Sequence, residues 1–112
     1  MFDEVLAGRV RSTLSGRAAA SEKRMFGGLA FLVGGHMAVA VSGHGGLMVR
    51  FPPGRTDELL AEPGTAPMVM RGREVRGWLR VESGALDDQD ELSHWVDIGI
   101  ACASSLPDTG QG

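Results

Sequence analysis

Residues 23 to 51 read KRMFGGLAFLVGGHMAVAVSGHGGLMVRF, three apolar runs set apart by paired glycines. Within the runs the apolar period is two. Leu29, Phe31 and Val33 alternate with Gly28, Ala30 and Leu32; Met37, Val39 and Val41 alternate with His36, Ala38, Ala40 and Ser42; Leu47, Val49 and Phe51 alternate with Met48 and Arg50. Period two places successive side chains on opposite faces of a strand. Gly34-Gly35 between two such runs specifies a two-residue hairpin, because type I′ and II′ turns need positive φ. The longer SGHGG segment suits a hairpin with a bulge. The stretch therefore predicts a three-stranded antiparallel meander with one large, branched face and one small face.

Paired glycines also occur where backbone amides cradle phosphate, which is the competing reading. G-x-G-x-x-G is absent from this stretch, and no glycine precedes a Lys-Ser or Lys-Thr pair. A phosphate cradle needs a helix N-terminus directly after the loop. Here strands follow, so the doublets are read as turns.

Flanking segments change period. Phe2, Val5, Leu6, Val10 and Leu14 recur at helical spacing, with Asp3 and Glu4 at the positive end of the dipole and Gly16 as a stop. Arg17 to Lys23 reads as a polar, alanine-containing connection. After Pro52-Pro53-Gly54, Thr56 can cap a short helix through Leu59 and Leu60 that ends at Pro63-Gly64. Pro67 to Met70 reads as a strand and Arg71-Gly72 as a turn. Val75, Gly77, Leu79 and Val81 then mark one face of a further strand. Leu92, Trp95, Val96, Gly99, Ala103 and Leu106 form a stripe fit to cover a sheet, capped by Asp87 or by Asp88 with Glu91. The expected fold is α+β, an antiparallel five-stranded sheet in the order α-β-β-β-α-β-β-α. Residues 1–106 make one domain and 107–112 a flexible C-terminal tail.

With 112 residues and one cysteine, Cys102, no intrachain disulfide can form, which suits a reducing cytoplasm. MFDEVLAGRV has acids where a signal peptide carries bases, and no run approaches the ~20 apolar residues of a membrane span. The expected localisation is cytoplasmic, with no membrane partner. The net charge of −3 is unevenly distributed: all 11 Lys and Arg fall within residues 1–80, while residues 81–112 hold acids alone. Self-neutralisation across the surface is the simplest reading, ahead of a nucleic-acid patch.

Chemistry-bearing constellations are few. His36 and His44 fall at turns; His94 and Cys102, eight apart on the last helix, are too distant to share one ion, and zinc wants four close ligands. Ser42 lacks the flanking glycines of a nucleophile elbow. Asp87, Asp88, Asp90 and Glu91 are accounted for by the helix dipole. No catalytic residue, metal or cofactor is therefore assigned. Arg76-Gly77-Trp78-Leu79-Arg80 is the sharper feature. In a regular strand Arg76, Trp78 and Arg80 share one face, with Arg50, Arg71 and Arg73 near, and such a group can stack a base or hold an acidic partner. The competing reading has the acidic last helix cover it. Ala30, Leu32, Ala38, Ala40 and Met48 make the small sheet face apolar, so a helix or a second copy should cover it. Met25, Met68 and Met70 could supply adaptable packing there.

Arg24-Met25-Phe26-Gly27-Gly28, followed by Leu29-Ala30-Phe31, resembles the N-terminal domain of the TfoX/Sxy family. The likeness continues through Met37, Val41, Leu47 to Arg50, Pro67-Met68, Gly77-Trp78 and the Leu92, Trp95, Val96 helix. The resemblance implies helices packed on an antiparallel sheet, similar to secretion-chaperone-like domains. Its named members are bacterial regulators of natural competence, acting with a cAMP-receptor-type activator, and carry a second, C-terminal helical domain. With the sequence read to Gly112, no such second domain is expected here, and Trp78 but no tyrosine falls near the second hairpin. The resemblance and the residues together point to a non-enzymatic, protein-binding regulatory module acting as a homodimer. The alternatives are direct nucleic-acid binding through Arg50, Arg76, Trp78 and Arg80, and a small-ligand binder or enzyme with a pocket between sheet and last helix.

Overall fold

The computed structural model describes residues 2–25 and 27–106. Phe26 and the 107–112 tail lie outside them. Helix α1 spans Glu4–Ser15, with Asp3 accepting from the Val5 and Leu6 amides at its N-terminus and Gly16 following. Six strands follow around a short helix: β1 Ser21–Met25, β2 Gly28–Val33, β3 His36–Val41, β4 Leu47–Arg50, α2 Thr56–Leu60, β5 Thr65–Met70 and β6 Arg73–Val81. Helix α3, Gln89–Ser104, completes the order, and its Asp88 cap accepts from the Asp90 amide. The fold is α+β with one antiparallel sheet, ordered β1-β2-β3-β4-β6-β5.

The sheet has six strands where five were expected. The extra one, β1, occupies part of the segment read as a connection. Ser21, Glu22, Lys23 and Arg24 are all exposed, so this edge strand buries no alternating face and leaves no period-two signal. It is held by its ladder to β2, from Ser21↔Leu32 to Met25↔Gly28, and by a two-nitrogen grip of Arg11 on Glu22, in which Nη2 donates at 2.9 Å.

Both long helices lie on one side. α3 crosses β2, β3 and β4, and α1 packs against α3. Phe31, Val39, Val41, Leu47, Val49, Leu79 and Val81 from the sheet meet Leu6, Val10 and Leu14 of α1 and Leu92, Trp95 and Val96 of α3 in one buried core. Val5, read into the α1 stripe, is 76% exposed; Ala7 takes the core position instead. Arg55, not Thr56, precedes α2 at the capping position, because a 3-10 turn over Pro53–Arg55 runs directly into the helix.

The glycine doublets turn the chain. Gly34 and Gly35 both have positive φ, 62° and 84°, and Gly45 and Gly46 do likewise at 98° and 78°. Ser42 closes the longer loop by receiving the His44 amide on its hydroxyl and the Gly45 amide on its carbonyl. Gly27, φ 76°, lies between β1 and β2, turning strand into strand rather than helix into strand. Gly28 has a different constraint: a Cβ there would stand 2.3 Å from the Val41 carbonyl oxygen.

Two bulges reassign faces. Phe31 pairs with Val39 but Leu32 with Met37, leaving Ala38 as the extra residue of β3. Met37 is thereby moved off the large face, and Ala38 packs instead with Val33 and Ala103 on the helix side. In β6, Pro67 pairs with Leu79 but Val69 with Glu74, and Gly77 has φ 82°. Val75 therefore does not share a face with Leu79 and Val81.

Candidate binding site on the helix-free face

With both long helices on one side, the other face of the sheet is left to its own side chains. Cross-strand register sets Ala30, Ala40, Met48 and Arg80 in one row, and Arg50 beside Trp78 in the next. These rows floor a concave cavity of about 460 Å³. Its walls come from both sheet edges, Met25 of β1 and Met68 and Met70 of β5. Six flat strands at ~4.8 Å spacing would hold those edges roughly 24 Å apart, so the sheet is curled.

Five of the six methionines, Met25, Met37, Met48, Met68 and Met70, line this one cavity. The small residues beneath are shielded by them: Ala30 is 0% and Ala40 2% exposed although neither long helix covers them. An unbranched thioether with three rotatable bonds can both cover such a floor and re-pack around an incoming group.

Arg50 and Trp78 form the polar corner. The Arg50 guanidinium carbon lies 5.0 Å from the Trp78 ring centroid, within cation–π range. Its Nε donates to the Met37 carbonyl at 2.7 Å. The β3–β4 ladder pairs residues as far as Val39↔Val49, so this side chain bonds a carbonyl beyond the bulge. Arg80 Nη2 donates to the Gly45 carbonyl at 3.0 Å, tying β6 to the glycine loop.

Of the residues singled out from sequence, Arg50, Trp78 and Arg80 meet in the cavity, and Arg76 does not. The cause is the bulge at Gly77, which breaks the alternation and leaves Arg76 exposed outside the lining while Val75 enters it. Arg71 lines the rim and Arg73 does not. The acidic start of α3 does not cover this face, and the cavity is not between sheet and last helix but on the opposite side. Some neutralisation does occur elsewhere, Arg17, just beyond α1, pairing with Asp97 of α3 at 2.6 Å. Met48 and Arg71, read from sequence as small-face and neighbouring residues, do line it, whereas Met37 and His44 were missed. The usable signal was composition: every methionine after Met1 lies in a strand.

The family-like motif is explained residue by residue within the described part. Arg24 lies 5.7 Å from the Phe2 ring centroid, Met25 lines the cavity, Gly27 turns the chain, and Gly28 permits the close approach to Val41.

Other titratable groups sit away from the cavity. Hydrogen bonds from Arg11 and Arg55 hold the Glu22 and Glu58 carboxyls below the usual carboxylate range. His94 Nε2 faces both Glu62 carboxylate oxygens, at 3.1 and 3.0 Å, and its ring meets Trp95 edge-on. Burial pushes the Cys102 thiol up. Among the described residues no group of three or more His, Cys, Asp or Glu could hold a metal ion, and no helix is long and apolar enough to cross a membrane.

Neither a search of curated proteins nor one of solved structures returns a match. The family model of the TfoX N-terminal domain does match, over residues 12–103, which takes in part of α1, all six strands and nearly all of α3. The chain belongs to the TfoX N-terminal domain family.

Proposed function

We propose that this domain is a non-enzymatic binding module. Its helix-free sheet face receives a segment of a partner protein, and it works in regulation as a homodimer. The observation that carries the reading is the methionine-lined cavity itself. An outer sheet face exposed to water is normally polar. Here it is alanine under methionine, and the apolar surface continues onto the β5 edge through Val69 and Met70, 56% and 43% exposed. Methionine-rich surfaces suit partners of varied shape.

A photo-crosslinking amino acid at position 70, in the cell the chain comes from, tests this directly. The expected result is a covalent adduct with a protein, lost when Met48→Glu places a charge on the cavity floor. An adduct at twice the 11.8 kDa chain mass reports the homodimer. The control position is Val5, exposed on α1. No adduct at 70, or equal adducts at 5 and 70, would refute the reading.

A small-ligand reading has one observation of its own. The volume of about 460 Å³ lies within the roughly 300–1,000 Å³ of small-molecule sites. A thermal-shift screen separates it, since a ligand at ~100 times its Kd adds about 2.7 kcal/mol. Direct nucleic-acid binding is less well supported. Arg76 stands outside the cavity, and Trp78 is the one large aromatic ring among the described lining residues, where single-strand binders stack successive bases on several.

A further inference from the structure

The charge around the cavity has one sign. Arg50, Arg71 and Arg80 are among its lining residues, and none of the described lining residues is Asp or Glu. This is unexpected for a chain of net charge −3, whose overall field repels acids. We propose that the segment received here is acidic as well as apolar: large aliphatic or aromatic side chains seat among the methionines while a neighbouring carboxylate meets the arginine rim. The inference rests on the binding-module reading and specifies its partner.

Geometry supports the division of labour. A guanidinium has five N–H donors. Arg50 turns Nε toward Met37 and Arg80 turns Nη2 toward Gly45, which fixes each side chain and leaves further N–H groups of the same fork for a carboxylate. Trp78 stacks on Arg50, so the cation stands against an apolar wall, where water screens it less. A protein segment fits better than a nucleic acid, because Trp78 is the one large aromatic ring among the described lining residues and single-strand binders stack successive bases on several. It also fits better than a small amphiphile. The apolar surface runs out of the cavity onto β5, an edge strand with one side of its backbone unpaired within the sheet.

The experiment is selection of a random dodecapeptide library on the full chain, followed by titration of a synthesised winner. Trp emission reports the site, because Trp95 is 1% exposed in the helix-side core while Trp78 lines the cavity. The expected winners carry Asp or Glu within a few residues of two large apolar side chains. Replacing that acid by its amide should weaken binding about tenfold or more. Arg80→Gln, which keeps an N–H for the Gly45 carbonyl, should reproduce the loss. Arg71→Asn, at an exposed turn position of φ 54° that asparagine tolerates, should cost about threefold. Winners without acids, or winners indifferent to the amide swap, would overturn the inference and leave the binding-module reading standing. No enriched peptide would overturn both, and parallel titrations with dodecanoate and with a poly-dT strand at low salt then show whether a small amphiphile or a nucleic acid takes the site instead.

Discussion

Arg50 and Trp78, a cross-strand pair on β4 and β6, are joined by a guanidinium 5.0 Å from the indole centroid. The same guanidinium bonds the Met37 carbonyl of β3, so one side chain links three strands on the face that neither long helix supports. Its planar fork does two things at once that an ammonium cannot. Arg50→Ala should therefore lower stability by about 1.5–3 kcal/mol, and Arg50→Lys should recover only a minor part. Urea unfolding followed by circular dichroism measures this. Equal midpoints for the wild type and the Arg50→Lys chain would mean that charge alone matters at this corner.

Two glycines should respond to alanine with opposite sign. At Gly28 a Cβ would meet the Val41 carbonyl oxygen at 2.3 Å and the Gly43 amide nitrogen at 3.2 Å, both backbone atoms that cannot swing aside. Gly28→Ala should cost about 3 kcal/mol or more through displaced strands. Gly8 lies inside α1 with nothing within 4 Å of its would-be Cβ. Gly8→Ala should stabilise by about 0.5–1 kcal/mol, because glycine in a helix interior carries an entropic penalty. Thermal melts of the two variants check the signs.

The two tryptophans divide core from site. Trp95 is 1% exposed among sheet and helix residues, so Trp95→Ala should cost about 3–5 kcal/mol. Trp78 is half-buried on the open face, so its truncation should cost clearly less, about 1–2 kcal/mol. A Trp95→Ala chain that melts with the wild type would place the core on the wrong side of the sheet.

Much of this was legible before the structure. Period-two alternation bounded by Gly34-Gly35 wrote β2 and β3 into the sequence, and the Leu92, Trp95, Val96 stripe wrote α3. Of the two caps offered, Asp87 or Asp88, the helix takes Asp88, a choice made by local chemistry. What failed was non-local. Strand β1 is polar almost throughout and exists only because β2 offers it a ladder. Met37 and Arg76 fall on faces other than those that period counting assigns. One extra residue at Ala38 and one positive φ at Gly77 shift the alternation, and period counting has no term for a bulge. The cavity was half visible. The Arg-Trp-Arg group and an apolar small face can each be read from the sequence, whereas their meeting depends on a register, Arg50↔Trp78, that pairs residues far apart along the chain.

Cys102 supplies a prediction with a definite pH direction. The thiol is buried on α3, and desolvation of its anion pushes the pKa above the ordinary thiol value of about 8.5, with the Arg50 charge offsetting only part. A folded-state pKa raised above the unfolded one means that the native chain holds this proton more tightly. The corresponding stability is complete below the ordinary thiol value and is lost as pH rises from there through the folded pKa. The wild type should therefore lose stability on the alkaline side faster than a Cys102→Ala chain, whose curve lacks this contribution. The same burial should keep the native thiol slow toward a disulfide reagent near neutral pH, with reaction becoming rapid in denaturant. Parallel alkaline slopes for the two chains, together with immediate labelling of the native protein, would show that α3 leaves this sulfur in water.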